Sequence, residues 1–448
     1  MTANTKLVPP GPVERSVLGS LTKFRRNPSH LMVQYWQEHG ELYRMRLGPY
    51  WVYVPTHPDH VKHVMVDNLR NYSRGKFFKN FERFIGKGLV AIEGDEWAKH
   101  RRIIQPTFHR GSVGNFGEIH TAGATELVQR WDEHAAAGET FDAAYELFAM
   151  VLSTFGRTFY NMDLSVYAEQ FIPGSHEGML QLIQNVLIPE WVPTAKNREF
   201  KSIRNLLDDI VARIVDDHRQ GLCGDHDLVS TMLKSYDEGQ MTLDQVHDEV
   251  LTLLVVGTDT TTAALSWALY CLTMYGEERK RLEEEVDRVL NGRVPTVADL
   301  ASLPYTMMFL KEVLRLYPPV WILTRDPISD DEIAGYHIPA GSTVMTCPYL
   351  VHRNPEFWEN PEAFVPERFL PELEEKRHRY AYIPFGAGQH QCVGMHSSLQ
   401  QMHITMAMII QKFKVELAPS GSVIPSAGLT MHPADGVRVK LTPRGTTH

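Results

Sequence analysis

Residues 382–403, with the sequence YIPFGAGQHQCVGMHSSLQQMH, decide the fold. They place Cys392 between a glycine-rich turn and a predicted helix at 393–412. Gly386 and Gly388 allow backbone angles that a Cβ would block, and they let another group come close to the main chain. A sulfur at a helix start meets free N–H donors and the positive end of the helix dipole, which favour thiolate over thiol. A buried structural cysteine would explain neither these glycines nor the basic His390, so the pattern predicts a loop that presents one sulfur.

The composition is that of an ordinary globular protein. The 448 residues are 43% hydrophobic, and a formal charge of −9 argues against a general nucleic-acid binder. Four scattered cysteines without a C-x-x-C pair predict a reducing compartment and no zinc site. The N-terminus contains no apolar run fit for a signal peptide or a membrane span. We expect a cytoplasmic protein without a membrane anchor, forming one domain over residues 1–448 behind an extended lead-in, about 1–26.

Helical spacing predicts that most of the chain is α-helical. Helices are expected from Gly94 onward and at 27–39, 58–69, 115–136, 141–158, 166–187, 197–219, 227–236 and 241–275. Short strands are expected on both sides of the Gly48-Pro49 turn, at 321–327, at 342–347 and in a terminal hairpin within 415–442. Residues 70–92 are predicted to be irregular. The middle third of the chain, broken at Pro173-Gly174 and at 188–193, is interpreted as a mobile lid.

The predicted helix at 241–275 contains the segment VVGTDTTTAAL, which breaks the local rules for helix formation. Gly257 costs about 1 kcal/mol against alanine in a helix interior, and the Thr/Asp run after it adds more poor helix formers. Such failures concentrate at functional sites. A carboxylate beside an alcohol, here Asp259 and Thr260, is able to relay protons. A kinked core helix with threonine back-bonding is the alternative, and it suits Thr261 and Thr262 better than the acid–alcohol pair.

The sequence FGAGQHQCVG resembles the haem-binding loop of the cytochrome P-450 family, whose pattern is Phe-x-x-Gly-x-Arg/His-x-Cys-x-Gly. The glycines do not match a dinucleotide-binding fingerprint, because no third glycine follows at the required spacing. Residues 256–261 resemble the oxygen-binding groove of that family, and three further motifs follow the family order: W-x-x-x-R at 97–101, E-x-x-R at 312–315 and PERF at 366–369. The resemblance implies a mainly α-helical cytochrome P-450 fold with a small β-rich subregion.

The resemblance assigns roles residue by residue. Cys392 would ligate the iron of heme b (iron protoporphyrin IX), and Asp259 and Thr260 would be catalytic. Haem contacts would come from Trp97, Arg101, Gly257, Arg325, Phe385, Gly386, His390, Cys392 and Gly394. Substrate contacts would come from Phe84, Val256, Val320, Ile322, Leu323 and Leu429. Glu312, Arg315 and Arg368 would form a structural charge cluster. The chain departs from the family at Val256, which is larger than usual, and at Ser397, Ser398 and Gln401.

The implied activity is monooxygenation: one oxygen atom of dioxygen enters an apolar organic molecule by hydroxylation or epoxidation, and the other leaves as water. The expected protein is a monomer that receives electrons from a ferredoxin or flavodoxin with its reductase. A terpenoid or fatty-acid substrate is preferred, while a steroid or polyketide stays open. The alternatives are a peroxide-driven peroxygenase, a dehydratase or isomerase on the same fold, and a non-enzymatic haem sensor or carrier.

Overall fold

A computed structural model describes residues 7–14, 16–171, 192, 194–419 and 423–445. The chain divides into two compact units. Unit 1 contains Met1–Phe81, Arg315–Phe364 and Pro371–Cys392, and unit 2 contains Glu82–Leu314, Val365–Leu370 and Val393–His448. The described residues are mainly α-helical with small β-sheets, which confirms the predicted fold class.

The helices are numbered in chain order. They are α1 Leu21–Arg26, α2 Pro28–His39, α3 Pro58–Lys62, α4 Lys76–Ile85, α5 Gly94–Ile104, α6 Arg110–Gly114, α7 Gly117–Ala137, α8 Ala143–Phe159, α9 Ala195–Arg219, α10 Leu228–Asp237, α11 Leu243–Met274, α12 Gly276–Leu290, α13 Pro304–Leu316, α14 Pro348–Val351, α15 Pro371–Lys376 and α16 Met395–Lys412. The strands are β1 Leu42–Leu47, β2 Tyr50–Pro55, β3 Tyr72–Ser73, β4 Thr140–Asp142, β5 Leu323–Pro327, β6 Asp331–Ile333, β7 Tyr336–Ile338, β8 Thr343–Thr346, β9 Phe413–Leu417, β10 Pro425–Ala427, β11 Met431–Pro433 and β12 Arg438–Pro443.

Unit 1 is built on a five-stranded sheet in the order β1-β2-β8-β5-β3. The predicted hairpin joins β1 to β2, and its turn needs Gly48 at φ +61°. Strand β8 pairs parallel to β2 and antiparallel to β5. Buried apolar side chains, among them Tyr53, Val64 and Val344, form the core beside this sheet. The sheet fixes the start of β5, the strand that carries Leu323 and Arg325.

The extended lead-in is shorter than predicted, because α1 begins at Leu21. Phe24 is buried and stacks on Trp321 with 6.4 Å between the ring centres. The Ser20 backbone N–H donates to the Arg46 carbonyl at 2.7 Å, and the Ser20 hydroxyl lies 2.8 Å from the Tyr35 hydroxyl. These tertiary contacts stabilise a helix that the sequence pattern alone does not predict.

Unit 2 centres on α11, which packs against α8. Thr242 caps α11 in a capping box with Gln245. Most of the helix is buried, including Leu254, Leu265 and Trp267. Strands β4, β12 and β9 form an antiparallel sheet, and β10 and β11 form a separate hairpin. The predicted helices before and after α11 match α7, α8, α9, α10 and α16 to within a few residues.

One loop prediction is wrong, and another lies largely outside the described residues. Residues 76–85 form α4, so the prediction of an irregular segment at 70–92 is wrong there. The aromatic residues at 77, 81 and 84 have helical spacing, and the interleaved charges obscured it. Of the predicted lid, the breaks at Pro173-Gly174 and 188–191 and most of the helix at 166–187 lie outside the described residues.

Within the described ranges, α11 is the single helix long and apolar enough to cross a membrane. In its most apolar 18-residue window 83% of the residues are buried, as in the core helix of a globular protein.

Candidate active site

The Cys392 loop has the backbone that its glycines predicted. Gly386 and Gly388 have φ angles of +72° and +69°. The Gly386 N–H donates to the Ile383 carbonyl, and the Cys392 N–H donates to the Phe385 carbonyl, each at 3.0 Å. Cys392 is exposed, whereas the other three cysteines are buried. The loop therefore holds one accessible sulfur at a fixed place, two residues before Gly394, which caps α16 with a φ of −81°.

Gly388 is required by close packing as well as by its backbone angle. A Cβ at this position would lie 2.2 Å from the carbonyl oxygen of Met65. A Cβ at Gly386 would meet one atom, Leu323 Cδ1, at an ordinary 3.9 Å. The loop is thus pressed against the turn that contains Met65, within unit 1.

Two buried basic side chains lie in the same unit, and one of them contacts this loop. Arg74 Nη2 is 2.9 Å from His390 Nδ1. Since a guanidinium only donates, His390 Nδ1 is the acceptor of this hydrogen bond. Arg325 is only 3% exposed, and its Nη1 donates to the Thr324 carbonyl at 2.7 Å. The sequence analysis missed Arg74, because a lone arginine in a segment read as irregular gives no motif.

The candidate pocket residues differ in exposure. Val320, Ile322 and Leu323 are half-buried in unit 1, and Val256 and Leu429 are half-buried in unit 2. Phe84 is completely buried and packs on Phe200 at 5.7 Å between ring centres. Phe84 therefore packs in the core of unit 2, and its contact with a substrate stays a prediction. Phe77, Phe78 and Phe81 on the same helix keep some exposure.

The threonines of α11 bond to carbonyls one turn earlier. Thr258 Oγ1 donates to the Leu254 carbonyl, Thr260 Oγ1 to the Val256 carbonyl and Thr262 Oγ1 to the Thr258 carbonyl, at 2.7 to 2.9 Å. Back-bonding was expected of Thr261 and Thr262 rather than of Thr260, so this expectation is wrong for Thr260. The helix is nevertheless continuous from Leu243 to Met274.

Gly257 has a packing reason for lacking a side chain. A Cβ there would lie 2.4 Å from Cε2 of Phe155, on α8. The missing Cβ lets α11 approach α8 closely. Haem contact by Gly257 stays a prediction.

Asp259 is held by residues far away in sequence. It is 1% exposed. Thr430 Oγ1 donates to its Oδ2 at 2.7 Å, and His432 Nε2 lies 3.1 Å from its Oδ1. Both partners come from the end of the β10–β11 hairpin, whose tip was expected to approach the pocket. The sequence analysis did not single out either partner, because the pairing spans more than 170 residues.

Trp97 and Arg101 share one face of α5, as predicted. The guanidinium carbon of Arg101 lies 5.8 Å from the centre of the Trp97 ring, and its Nε donates to Gln105 Oε1 at 2.9 Å. These contacts fix the direction of the arginine side chain. Binding of a carboxylate by Arg101 stays a prediction.

The residues assigned to the structural cluster are buried and bonded. In unit 2, Glu312 is 0% exposed, lies 3.4 Å from Arg368 Nε and accepts the Val365 N–H at 2.8 Å. In unit 1, Arg315 is 0% exposed and donates to the carbonyls of His352, Pro361 and Ala363 at 2.7 to 3.0 Å. This many fixed contacts suit a structural role.

The donor set of unit 1 fits a haem. A soft, accessible sulfur is a suitable ligand for iron, and buried guanidinium groups at Arg74 and Arg325 are suitable partners for carboxylates. An accessible sulfur on such a loop in a mainly α-helical chain is compatible with a haem-thiolate protein.

Comparisons with known proteins agree with a haem-thiolate site. The sequence model of the family described as cytochrome P-450 matches residues 9–440. Cyclooctatin synthase from Streptomyces melanosporofaciens is 31% identical over 403 residues, which cover 88% of this chain and 87% of the relative. Pentalenene oxygenase from Streptomyces avermitilis is 30% identical over 450 residues, or 99% of each chain. Cyclooctat-9-en-7-ol 5-monooxygenase from S. melanosporofaciens is 31% identical over 389 residues, or 85% and 84% of the two chains.

The chain belongs to the cytochrome P-450 family. It is a monooxygenase of that family, which confirms the predicted enzyme class and its haem-thiolate cofactor.

Proposed function

We propose that this enzyme oxygenates a cyclic terpenoid, with Cys392 as the ligand of heme b iron. The relatives described above oxygenate terpenoids, which supports this substrate class over a fatty acid, steroid or polyketide. Half-buried Val320, Ile322 and Leu323 offer apolar surface that suits a hydrocarbon skeleton. The observation that carries the haem assignment is that, of the four cysteines, only Cys392 is exposed, on a loop closed by its own backbone N–H.

Several side chains would hold the haem. Cys392 would bind the iron, and a thiolate ligand supplies the electron density that favours O–O cleavage. His390, Arg74 and Arg325 in unit 1 would bind the carboxylates and the ring edge. For Trp97 and Arg101, on α5 of unit 2, haem contact stays a prediction. Planar guanidinium groups suit carboxylates because they donate two parallel hydrogen bonds. Phe385, Gly386 and Gly394 would shape the loop around the sulfur.

Asp259 and Thr260 would supply the protons that the reaction consumes. The Thr260 hydroxyl donates to the Val256 carbonyl, so its oxygen keeps lone pairs that accept a proton from a neighbour. Because Asp259 is buried and held by two hydrogen bonds, its carboxylate stays in one orientation. A fixed acid next to an alcohol is a suitable relay in a site from which bulk water is excluded.

The electrons would come from a separate ferredoxin or flavodoxin with its reductase. Arg102 and Arg110 in unit 2 and Lys376 in unit 1 are exposed and suit an acidic carrier. Arg377, the neighbour of Lys376 in the chain, lies over the Trp358 ring at 4.1 Å, which gives it a structural contact. We place the enzyme in the cytoplasm, because all four cysteines are free, as in a reducing compartment. We also propose that it is a monomer.

A spectral binding screen followed by product analysis tests the proposal. The purified protein is titrated with pentalenene, other cyclic terpene hydrocarbons, fatty acids and steroids, and the spin-state shift of the haem is recorded. We expect the largest shift with a cyclic terpene, and a product heavier by one oxygen atom when a ferredoxin and its reductase are added. Turnover with NADPH alone would contradict the separate carrier. A preferred fatty acid would contradict the terpenoid, and efficient peroxide-driven turnover unaffected by Thr260→Ala would favour a peroxygenase.

A further inference from the structure

We infer that His432 is the positioning residue that supplies protons to Asp259, so that the C-terminal hairpin, residues 425–433, belongs to the proton-delivery machinery. This inference rests on the proposed role of Asp259 in the reaction. It adds a residue that lies outside every motif in the sequence analysis.

The contacts of Asp259 assign different tasks to its two partners. Thr430 Oγ1 is 2.7 Å from Oδ2, and His432 Nε2 is 3.1 Å from Oδ1. The threonine hydroxyl orients the carboxylate but has no proton to spare near neutral pH. An imidazole N–H donates a hydrogen bond, and imidazole is a common general acid and base. Of the two, only His432 is a chemically reasonable proton donor.

The difference in solvent exposure between the two side chains places His432 between bulk water and Asp259. The His432 side chain keeps 13% of its exposure, whereas the Asp259 side chain keeps 2%. In one step, a neutral His432 ring transfers its Nε2 proton to Asp259 Oδ1 while its other nitrogen, Nδ1, takes up a proton from water. The charges balance, because the imidazole changes tautomer and stays neutral, and the proton from water neutralises the carboxylate until Asp259 passes a proton on. A buried carboxylate without such a partner would depend on rare entry of water.

The hairpin is anchored to α11 at a second point. Trp267 Nε1 donates to the Met431 carbonyl at 2.8 Å. Since Trp267 follows Asp259 by eight residues, both lie on the same face of the helix. Contacts at the two residues before His432, Thr430 and Met431, thus hold this part of the hairpin against α11, and such a geometry suits repeated proton transfer.

The test compares conservative variants of His432 in the full-length haem-loaded enzyme. NADPH-driven dioxygen consumption and product formation are measured with a ferredoxin, its reductase and pentalenene, in H2O and in D2O. His432→Gln keeps a hydrogen-bond donor but cannot exchange a proton. We expect it to lower turnover about tenfold, because general acid–base contributions of this kind are large. We also expect a larger solvent isotope effect and an unchanged spectral dissociation constant for the substrate. His432→Lys should restore most of the turnover.

His218→Gln is the matched control, because His218 forms another buried ion pair in unit 2, with 3.2 Å between its Nε2 and Asp227 Oδ2. It should leave the isotope effect unchanged. The variant Asp259→Asn distinguishes a failure of the proposed role of Asp259 from a failure of the role of His432. Wild-type turnover in Asp259→Asn would overturn the proposed role of Asp259. A low turnover in Asp259→Asn together with wild-type behaviour of His432→Gln would overturn the role of His432 alone. Equal losses in His432→Gln and His432→Lys would also overturn it.

Discussion

At the scale of single residues, the glycines of the Cys392 loop show how far a sequence determines a backbone. Gly386 and Gly388 were predicted to need angles that a Cβ disfavours, and both have positive φ. The sequence did not distinguish them further. The structure does, because a Cβ at Gly388 would meet the Met65 carbonyl, whereas a Cβ at Gly386 has room.

This difference predicts unequal costs for two similar substitutions. Gly388→Ala adds a left-handed residue and a clash with backbone, which should lower the free energy of unfolding by about 3 kcal/mol. Gly386→Ala adds the backbone strain alone, about 1 kcal/mol. Thermal unfolding followed by the haem absorption band checks the ranking. Equal losses of thermal stability in the two variants would show that the close packing of Gly388 on Met65 does not contribute to the free energy of unfolding.

Other residues show what a sequence leaves out. Asp259 was recognised from its motif, but Thr430 and His432 were not, because contacts across more than 170 residues leave no local pattern. Arg74 was missed for the same reason, since its partner His390 is 316 residues away. Phe84 was assigned to the pocket by the family resemblance, and its complete burial against Phe200 was not predictable, because that contact joins two distant segments.

At the scale of elements, α11 was predicted almost to the residue. The capping box at Thr242 marks its start, and its apolar periodicity outweighs the poor helix formers in its middle. The reason for Gly257 was not predictable, because it lies on a different helix: Phe155 occupies the space that a side chain would need.

Gly257→Ala should therefore destabilise the protein although alanine is the better helix former. The gain in helix propensity is about 1 kcal/mol, and crowding against Phe155 costs about 1–3 kcal/mol. We expect a net loss of about 1 kcal/mol in the free energy of unfolding, measured by chemical denaturation. Gly276→Ala is the control, because a Cβ there meets nothing within 4 Å. Adding Phe155→Leu should remove most of the loss; a Gly257→Ala variant that is as stable as wild type would contradict the packing argument.

Helix α4, in contrast to α11, was not predicted from the sequence. Its charged residues alternate with phenylalanines so closely that neither a helical nor a strand period stood out, and the segment was predicted to be irregular. The predicted strand at 321–327 begins two residues later than expected, at Leu323. Element boundaries depend on tertiary contacts that a local pattern does not contain.

At the scale of the whole molecule, the order of five motifs sufficed for the fold class, but not for the internal organisation of the chain. A single domain was predicted, and the described chain divides into two compact units. Two helices run through the boundaries between the units: α4 contains Phe81 and Glu82, and α13 contains Leu314 and Arg315. A single domain stays a prediction.

Calorimetry tests it. Because a helix that is shared by two units cannot melt in one of them alone without fraying in the other, we expect one cooperative unfolding transition of the haem-loaded protein. Far-ultraviolet circular dichroism and tryptophan fluorescence should give coincident curves. Two separate transitions would show that the units unfold independently and would contradict the single-domain interpretation.

The most direct test of the whole account is the absorption spectrum of the reduced protein under carbon monoxide. Sulfur ligation by Cys392 predicts the red-shifted band that is typical of a haem-thiolate protein. Cys392→Ser should lose that band, while Cys223→Ser, at a buried cysteine outside the loop, should retain it. A wild-type protein without the band, or a Cys392→Ser variant that still shows it, would contradict the assignment of the iron ligand.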